Sequence, residues 1–410
     1  MDGYCCDQLC DAACDVCAWD LGASEDGACT PAPFTSDASE ACAPQTCDGV
    51  GVDCVELCVD EPATPAHRPA DFIFVVDNSG SMGEETQGLE DNINTSFANV
   101  VASLGLDYTV NMVTNHGTSS TSVCVSPPLS GTVDCAAAAV EIPGQFGHYD
   151  VDVQSHDGLC VLLDTFSGSN AGGEADEWGL FPDGWGPWLR TEALKVFVVL
   201  TDDGTSCTWD GNTFNDGNTV IDGQAVAVAW DEQLLALSPA QFGTVAERNY
   251  VLHGMLAVQA AIPAIPTEPH LPSDPVVTAE CAPGGVDPGT GYQWLAKGTG
   301  GLRFGLCDPS IYDTIFEQLA AHTHAQTLLE CQYAVPSPVG QSVDPDRLRM
   351  VFTPPAAEAS VYTPVATAAD CGAATTAFYV FEETLHLCPE TCAEVEAEPQ
   401  ATLDVQALCE

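Results

Sequence analysis

The chain has 410 residues, with 8 basic against 60 acidic side chains and a formal net charge of −52. A chain of this length can bury a large core and hold two or three domains. Its charge repels nucleic acid and anionic lipid, which excludes both as favoured partners, and it attracts divalent cations or basic proteins. The same charge also suits a solvated coat for salty surroundings, so composition alone does not define a function.

Cysteine usage predicts the compartment. The 21 Cys fall into groups of ten (residues 5–58), four (124–207) and seven (281–409). Such density is rare in reducing cytosol, so we expect disulfide bonds and an extracellular or cell-surface location. No signal peptide opens the sequence, and a leader or lipid anchor is therefore expected upstream of it. No apolar stretch approaches the ~18 residues of a membrane span.

Residues 1–59 are rich in Cys and Asp and show no sustained helical or strand period. Such a segment needs crosslinks to hold a shape, and we predict a disulfide-stapled module. Zinc at the pair Cys14 and Cys17 is the alternative, which the absence of His from this region disfavours. Residues 60–70 (DEPATPAHRPA) contain three Pro and are predicted to form a linker.

From residue 71 to residue 330, apolar strand patterns alternate with helical spacing. Leu89, Ile93, Phe97, Val101 and Leu104 recur at helical intervals, and Gly105 follows as a stop. The predicted strands are 72–76, 108–114, 195–203, 249–258 and 302–306, and further helices are predicted from Ser155, as N-cap, and over 311–322. This alternation predicts an α/β fold in which ligands bind at the carboxyl ends of parallel strands. Short β-rich runs after residue 330 predict a small, disulfide-tied β domain over 331–410.

The sequence FIFVVDNSGSM, residues 72–82, places a carboxylate and two hydroxyls at alternate positions after a buried strand. Asp77, Ser79 and Ser81 are hard oxygen donors of the kind that bind Mg²⁺. A second strand ends in Asp202 and Asp203, and the carboxyl ends of parallel strands converge at one edge of a sheet. We therefore predict a divalent-metal site there, with Asp203 as an ordinary turn residue. Helix capping by Ser is the alternative role for the hydroxyls.

These residues resemble the von Willebrand factor A domain family, in which an Asp-x-Ser-x-Ser loop joins a Thr or Ser on a second loop and an Asp on a third. The resemblance covers about residues 71–324. It implies an α/β, Rossmann-like domain with a mostly parallel sheet flanked by helices, and a metal-ion-dependent adhesion site for Mg²⁺, with Mn²⁺ or Ca²⁺ as substitutes. Its implied ligands are Asp77, Ser79, Ser81, Ser155 and Asp202, with Asp157 as the alternative to Ser155.

The Cys-rich start, GYCCDQLCDAACDVC, resembles modules of secreted myxobacterial and related proteins, and the strings LKVFVVLTDD and LCPETC resemble secreted A-domain proteins of the same bacterial groups. The implied function is adhesion to a protein or glycan that offers a carboxylate to the metal. The alternative is a structural matrix or surface-assembly protein in which the domain is only a scaffold. No common hydrolase, P-loop or dinucleotide-binding motif occurs, so we do not expect an enzyme. The acidic loop around Asp210 and Asp216 offers oxygen donors for Ca²⁺, but its spacing does not match an EF-hand, and a solvated turn is favoured.

Overall fold

The structure, a computed structural model, describes residues 15–16, 30–31, 57–168, 175–336, 343–355, 359–373, 376–398 and 400–408. Most of the predicted Cys-rich module therefore lies outside the described residues. Clustering of contacts divides the chain into one unit of residues 67–328 and another that combines residues up to 66 with those from 329 onwards. No helix within the described ranges is long and apolar enough to cross a membrane.

The strands are numbered in chain order through both units. They are β1 Asp15–Val16, β2 Thr30–Pro31, β3 Leu57–Pro62, β4 Pro65–His67, β5 Ala70–Val76, β6 Tyr108–Thr114, β7 Phe146–Asp150, β8 Leu194–Thr201, β9 Ser206–Trp209, β10 Asn212–Asn215, β11 Tyr250–Leu256, β12 Arg303–Gly305, β13 Leu328–Ala334, β14 Leu348–Thr353, β15 Ser360–Pro364, β16 Ala377–Phe381, β17 Thr384–Leu387 and β18 Thr402–Leu408.

The helices are numbered in the same way. They are α1 Gly83–Asn92, α2 Asn99–Ser103, α3 Gly158–Thr165, α4 Val220–Leu237, α5 Pro239–Phe242, α6 Thr290–Thr299, α7 Tyr312–Thr327 and α8 Pro389–Ala397. A π-helical segment, Ile93–Ala98, joins α1 to α2, and short 3₁₀ turns occur at Gly186–Trp188, Pro309–Ile311, Pro345–Arg347 and Ala368–Ala373.

Residues 67–328 fold around a six-stranded sheet in the order β12-β11-β8-β5-β6-β7, and every pair in it is parallel. Alternate side chains of β5 point to opposite faces, as strand geometry requires. Phe72 and Phe74 enter a core with Phe97 and Phe316 from the helices on one face. Ile73 and its neighbours enter a second core on the other face, which α3, α4 and α6 cover. Burial on both faces explains why the strands are almost continuously apolar.

The strand order identifies the place where a ligand site is expected. The chain runs outward from β5 through β6 to β7, then returns to β8 on the other side of β5 and runs outward again. The connections after β5 and β8 therefore leave in opposite directions, which creates a crevice outside the carboxyl ends of these two strands. The mixed α/β prediction with a parallel sheet is confirmed.

The second unit contains an eight-stranded sheet in the order β3-β18-β14-β15-β16-β17-β13-β4. The small β-rich region predicted after residue 330 is present, but it also includes residues from before the parallel sheet. Residues 57–62 pair antiparallel with β18, so the segment predicted as a linker over 60–70 is instead largely strand. The structural reason is long-range: the hydrogen-bond partners of β3 lie in residues 404–408.

Five disulfides join described cysteines, which supports an oxidising environment. They are Cys124–Cys135, Cys160–Cys207, Cys281–Cys307, Cys331–Cys392 and Cys371–Cys388. The expectation that LCPETC is tied by disulfides is confirmed, since its two cysteines are Cys388 and Cys392.

Candidate metal site at the sheet edge

Asp77 and Asp202 follow β5 and β8, the two central strands between which the chain reverses direction. The strands are neighbours, and the backbone N–H of Asp77 donates to the Leu200 carbonyl at 2.9 Å. Both carboxylate residues are only 2% exposed. The sequence prediction that these two strand ends converge is therefore met in the structure.

The turn after Asp77 is held from both sides. The Asn78 N–H donates to the Val153 carbonyl at 2.9 Å, and the Asn78 Oδ1 accepts from the Val153 N–H at 2.6 Å. Met82 is fully buried and anchors the other end of the turn. The Ser79 N–H donates to Asp77 Oδ1 at 2.8 Å, which orients the carboxylate. Ser79 and Ser81 precede α1, whose N-cap is Met82, so they are not its capping residues.

Hydroxyl groups connect the two carboxylates. Ser79 Oγ and Ser81 Oγ are 3.2 Å apart, and Ser81 Oγ donates to Asp202 Oδ1 at 3.1 Å. On the other side, Thr201 Oγ1 donates to Asp77 Oδ2 at 2.8 Å. Four of the five predicted ligands, Asp77, Ser79, Ser81 and Asp202, thus lie in one hydrogen-bonded cluster.

Asp203 differs from the prediction. It was expected to be an ordinary turn residue, yet it is only 4% exposed. One carboxylate oxygen from each of Asp77, Asp202 and Asp203 lies within 4.8 Å of the others. Thr201 Oγ1 accepts the Asp203 N–H at 3.1 Å, so one hydroxyl orients both Asp77 and Asp203. The available sequence signal was the doublet of Asp residues at the strand end.

Ser155 lies beside the cluster but contacts a different residue from those expected. Its side chain interacts with the Asp203 carboxylate and partly lowers the pKa of that group. The prediction that it caps a helix is wrong, because α3 begins at Gly158 with Asp157 at the N-cap position. Asp157 uses its carboxylate to accept the Gln154 N–H at 2.8 Å, which closes a local turn. Ser155 therefore acts on the site indirectly, through its interaction with Asp203.

Burial and nearby negative charge raise the pKa values of Asp202 and Asp203. The pKa of Asp202 rises to about 6, first because of burial and then because of the Asp203 charge, while the Ser81 hydrogen bond partly opposes the shift. Burial also raises the pKa of Asp203, and the Ser155 hydrogen bond and the nearby His156 lower it in part. Both shifts show that this pocket stabilises negative charge poorly by itself.

The unit's own cations do not neutralise the cluster. In the described part of the chain, no Lys or Arg forms an ion pair with Asp77, Asp202 or Asp203. The basic side chains of residues 67–328 instead contact other groups: Arg68 contacts Asn249, Arg190 contacts Asp71, Arg248 contacts Asp231, and Lys195, Lys297 and Arg303 donate to backbone carbonyls. Buried charges are ordinarily paired or bound to metal, so the cluster's donor set fits a hard divalent cation.

The acidic loop around Asp210 and Asp216 has a structural role. It contains the hairpin of β9 and β10, and its buried Asp216 accepts the Asn218 N–H at 3.3 Å and the Gly291 N–H at 3.0 Å. Comparison with protein-family models finds no match for this chain, and comparison with curated proteins finds none either.

Proposed function

We propose that residues 67–328 form a von Willebrand factor A-type domain that binds its partner through a divalent cation, most naturally Mg²⁺. The protein ligands are Asp77, Ser79, Ser81 and Asp202, and Asp203 is added to the set predicted from sequence. Ser155 orients Asp203 rather than binding the metal. The chain would act as a secreted or cell-surface adhesion protein.

The observation that carries the proposal is a buried, uncompensated cluster of carboxylates at the switch point of a parallel sheet. Asp77 and Asp202 come from adjacent central strands, and no basic side chain among the described residues of the unit pairs with them. A position of this kind is where α/β sheets bind ligands. An ordinary structural carboxylate would instead be paired, as Asp71 is with Arg190 in the same unit.

Each residue has a defined part in holding the cation. Asp77 and Asp202 supply charge, the two Ser supply neutral oxygens, and Thr201 fixes the Asp77 carboxylate through its 2.8 Å hydrogen bond. Bound Mg²⁺ would supply positive charge and a coordination position for an oxygen of the partner. Ser79 is partly exposed and Ser81 is exposed, so the site is reached from their side.

The partner proposed is a protein or glycan that offers a carboxylate oxygen. A carboxylate is a hard donor that suits Mg²⁺, and it would approach on the side of the exposed Ser81. The net charge of −52 opposes an acidic partner at long range, but physiological salt screens that repulsion beyond about 8 Å.

The test is binding to an array of acidic peptides and of glycans with uronic or sialic acids, each beside its amide-capped counterpart. We expect wild-type protein to bind carboxylate-bearing spots in Mg²⁺, and to lose this binding in EDTA and after Asp77→Ala. Asp210→Asn is the matched control, since it removes one exposed carboxylate at the β9–β10 turn without touching the cluster.

Two results would contradict the proposal. The first is the absence of any Mg²⁺-dependent binding to carboxylates. The second is binding that survives both EDTA and Asp77→Ala, which would assign the contact to another surface and favour the structural alternative.

A further inference from the structure

A second cluster of metal-binding groups adjoins the first and shares Asp203 with it. A nitrogen of His156 and carboxylate oxygens of Asp203 and Asp287 lie within 4.8 Å of one another. His156 Nδ1 is 3.8 Å from Asp203 Oδ1. One imidazole and two carboxylates from three separate loops are a donor set found in metal centres.

The backbone around these three side chains is fixed. The Ser206 N–H donates to the His156 carbonyl at 2.9 Å, and the Cys160–Cys207 disulfide ties the same hairpin to α3. The Asp287 N–H donates to the Asp202 carbonyl at 2.9 Å, which attaches its loop to the end of β8. Main-chain hydrogen bonds and the disulfide therefore fix the backbone of these loops, while the His156 side chain makes a contact of its own, with Nδ1 3.3 Å from the Gly204 carbonyl.

An independent feature also indicates a missing ligand at this place. The Asn218 side chain donates through Nδ2 to Asp287 Oδ1, which fixes its amide plane. Its Oδ1 is inaccessible to solvent and has no hydrogen-bond donor among the residues that the structure describes. That oxygen lies against Gly204, the residue after Asp203, where an added Cβ would be only 2.9 Å from it. A buried carbonyl oxygen without a donor is an unsatisfied acceptor that a cation can satisfy.

Charge balance favours two cations over one. Asp77, Asp202, Asp203 and Asp287 are four carboxylates linked through shared neighbours, and no Lys or Arg of the described chain pairs with any of them. A single divalent ion would leave this group with excess negative charge in a largely buried site. Two divalent ions would neutralise it.

We propose that His156, Asp203 and Asp287 form a second divalent-cation site, bridged to the first by the Asp203 carboxylate. It rests on the proposed function in one respect, because Asp203 belongs to both sites. Its imidazole ligand makes it selective for first-row transition ions such as Zn²⁺ or Mn²⁺, whereas the all-oxygen first site suits Mg²⁺.

The experiment counts bound Mn²⁺ by electron paramagnetic resonance, in which free Mn²⁺ gives the sharp six-line signal. We expect wild-type protein to bind two ions per chain, with a spectrum broadened by coupling across the shared carboxylate. His156→Gln and Asp287→Asn are each expected to bind one ion without that broadening. In each variant the affinity for the second Mn²⁺ should fall by about 10- to 100-fold or more. One equivalent of Zn²⁺ is expected to displace one of the two Mn²⁺ ions from wild type.

Asp77→Ala separates failure of this inference from failure of the proposed function. Loss of one ion in Asp77→Ala but in neither His156→Gln nor Asp287→Asn would overturn the second site and leave the first intact. If Asp77→Ala retains two ions while His156→Gln and Asp287→Asn each lose one, the first site is overturned and the second is supported. Asp210→Asn must match wild type, and circular dichroism of each variant establishes that it is folded. If all variants bind as wild type does, both sites are contradicted.

Discussion

The two ends of strand β5 each carry a buried carboxylate, and the protein treats them in opposite ways. Asp71, at the amino end, is fully buried and receives Arg190 Nε at 2.8 Å, the Arg190 N–H at 2.7 Å and Thr109 Oγ1 at 3.0 Å. Asp77, just past the carboxyl end, receives neutral donors from Ser79 and Thr201, and no Lys or Arg within the described ranges pairs with it. Arg190 supplies the counter-charge at one end, and at the other end the proposed cation would supply it.

Lys195 strengthens the contrast. It is fully buried near the amino ends of the strands, where its Nζ donates to the Ala193 carbonyl at 2.8 Å. Burial lowers its pKa to about 8, although the charge of Asp71 partly opposes that shift. Lys195 and Arg190 thus lie at the amino-end edge, whereas no Lys or Arg in the described part of the chain pairs with Asp77, Asp202 or Asp203 at the opposite edge. Burial of unpaired charge is costly, so its persistence at one edge indicates function.

The largest expected effect concerns the amino end of β5, where Asp71 is paired with Arg190. Asp71→Asn leaves the Arg190 guanidinium without its buried partner, and we expect it to lower the free energy of unfolding by about 3–5 kcal/mol. Asp107→Asn is the matched control because Asp107 also pairs with Arg190, at 2.8 Å, but is 70% exposed. We expect that variant to lie within about 1 kcal/mol of wild type. Denaturant unfolding measures both, and equal effects would remove the distinction between buried and exposed pairing.

The next largest expected effect is stabilisation by metal at the carboxyl end of β5, where Asp77 lies. A ligand that binds only the folded state at 100 times its dissociation constant adds about 2.7 kcal/mol to the free energy of unfolding. We expect Mg²⁺ to raise the thermal unfolding midpoint of the EDTA-treated wild type by this mechanism. The rise should disappear in Asp77→Ala and persist in Asp107→Asn. A similar rise in both variants would mean that the acidic surface collects cations without a site.

Asp202→Asn is expected to raise the free energy of unfolding, whereas Asp71→Asn lowers it, and the change should be smaller. In the metal-free protein it removes a buried charge whose pKa is raised to about 6, so the free energy of unfolding should increase by about 1–2 kcal/mol at pH 7. The same variant should no longer bind Mg²⁺. Destabilisation of the metal-free protein by this substitution would contradict the idea that the carboxylate is uncompensated.

The pH dependence of the metal-free wild type provides a second measure of Asp202. Its folded pKa, about 6, lies above the ordinary aspartate value of 3.8, so the folded state binds more protons than the unfolded state between these two pH values. The contribution of Asp202 to stability therefore increases as the pH falls from 7 towards 4, and it is lost as the pH rises through 6. The difference in free energy of unfolding between wild type and Asp202→Asn should therefore shrink as the pH falls from 7 towards 4. A difference that grows towards low pH would contradict a raised pKa for Asp202 in the folded state.

The local features of the site were predictable from sequence, and the long-range ones were not. The strand at 72–76 and its Asp-x-Ser-x-Ser turn lie in one continuous segment, so apolar pattern and spacing identify them. The burial of Asp203 depends on groups from other loops, including Ser155 and His156, that only the fold brings together. Pairing of residues 57–62 with residues 404–408 likewise leaves no local signal.

Some misses had usable signals. Helix α4 was not predicted, yet Thr219 Oγ1 accepts the Asp222 N–H at 3.0 Å as an N-cap, and Val226, Trp230 and Leu234 recur every four residues in the core. Strand β7, FGHYD, is not among the predicted strands either, and it carries two polar residues, His148 and Asp150. Both are buried, and the His148 Nε2 lies 3.0 Å from the Thr114 carbonyl.

The most direct test of the central claim is calorimetric titration of Mg²⁺ into EDTA-stripped wild type, Asp77→Ala and Asp210→Asn. An uncompensated site at the carboxyl ends of β5 and β8 predicts saturable binding of one Mg²⁺ per chain in wild type and Asp210→Asn, and none in Asp77→Ala. Equal Mg²⁺ binding by all three proteins would contradict it, because the carboxylates at this edge would then be ordinary surface charge.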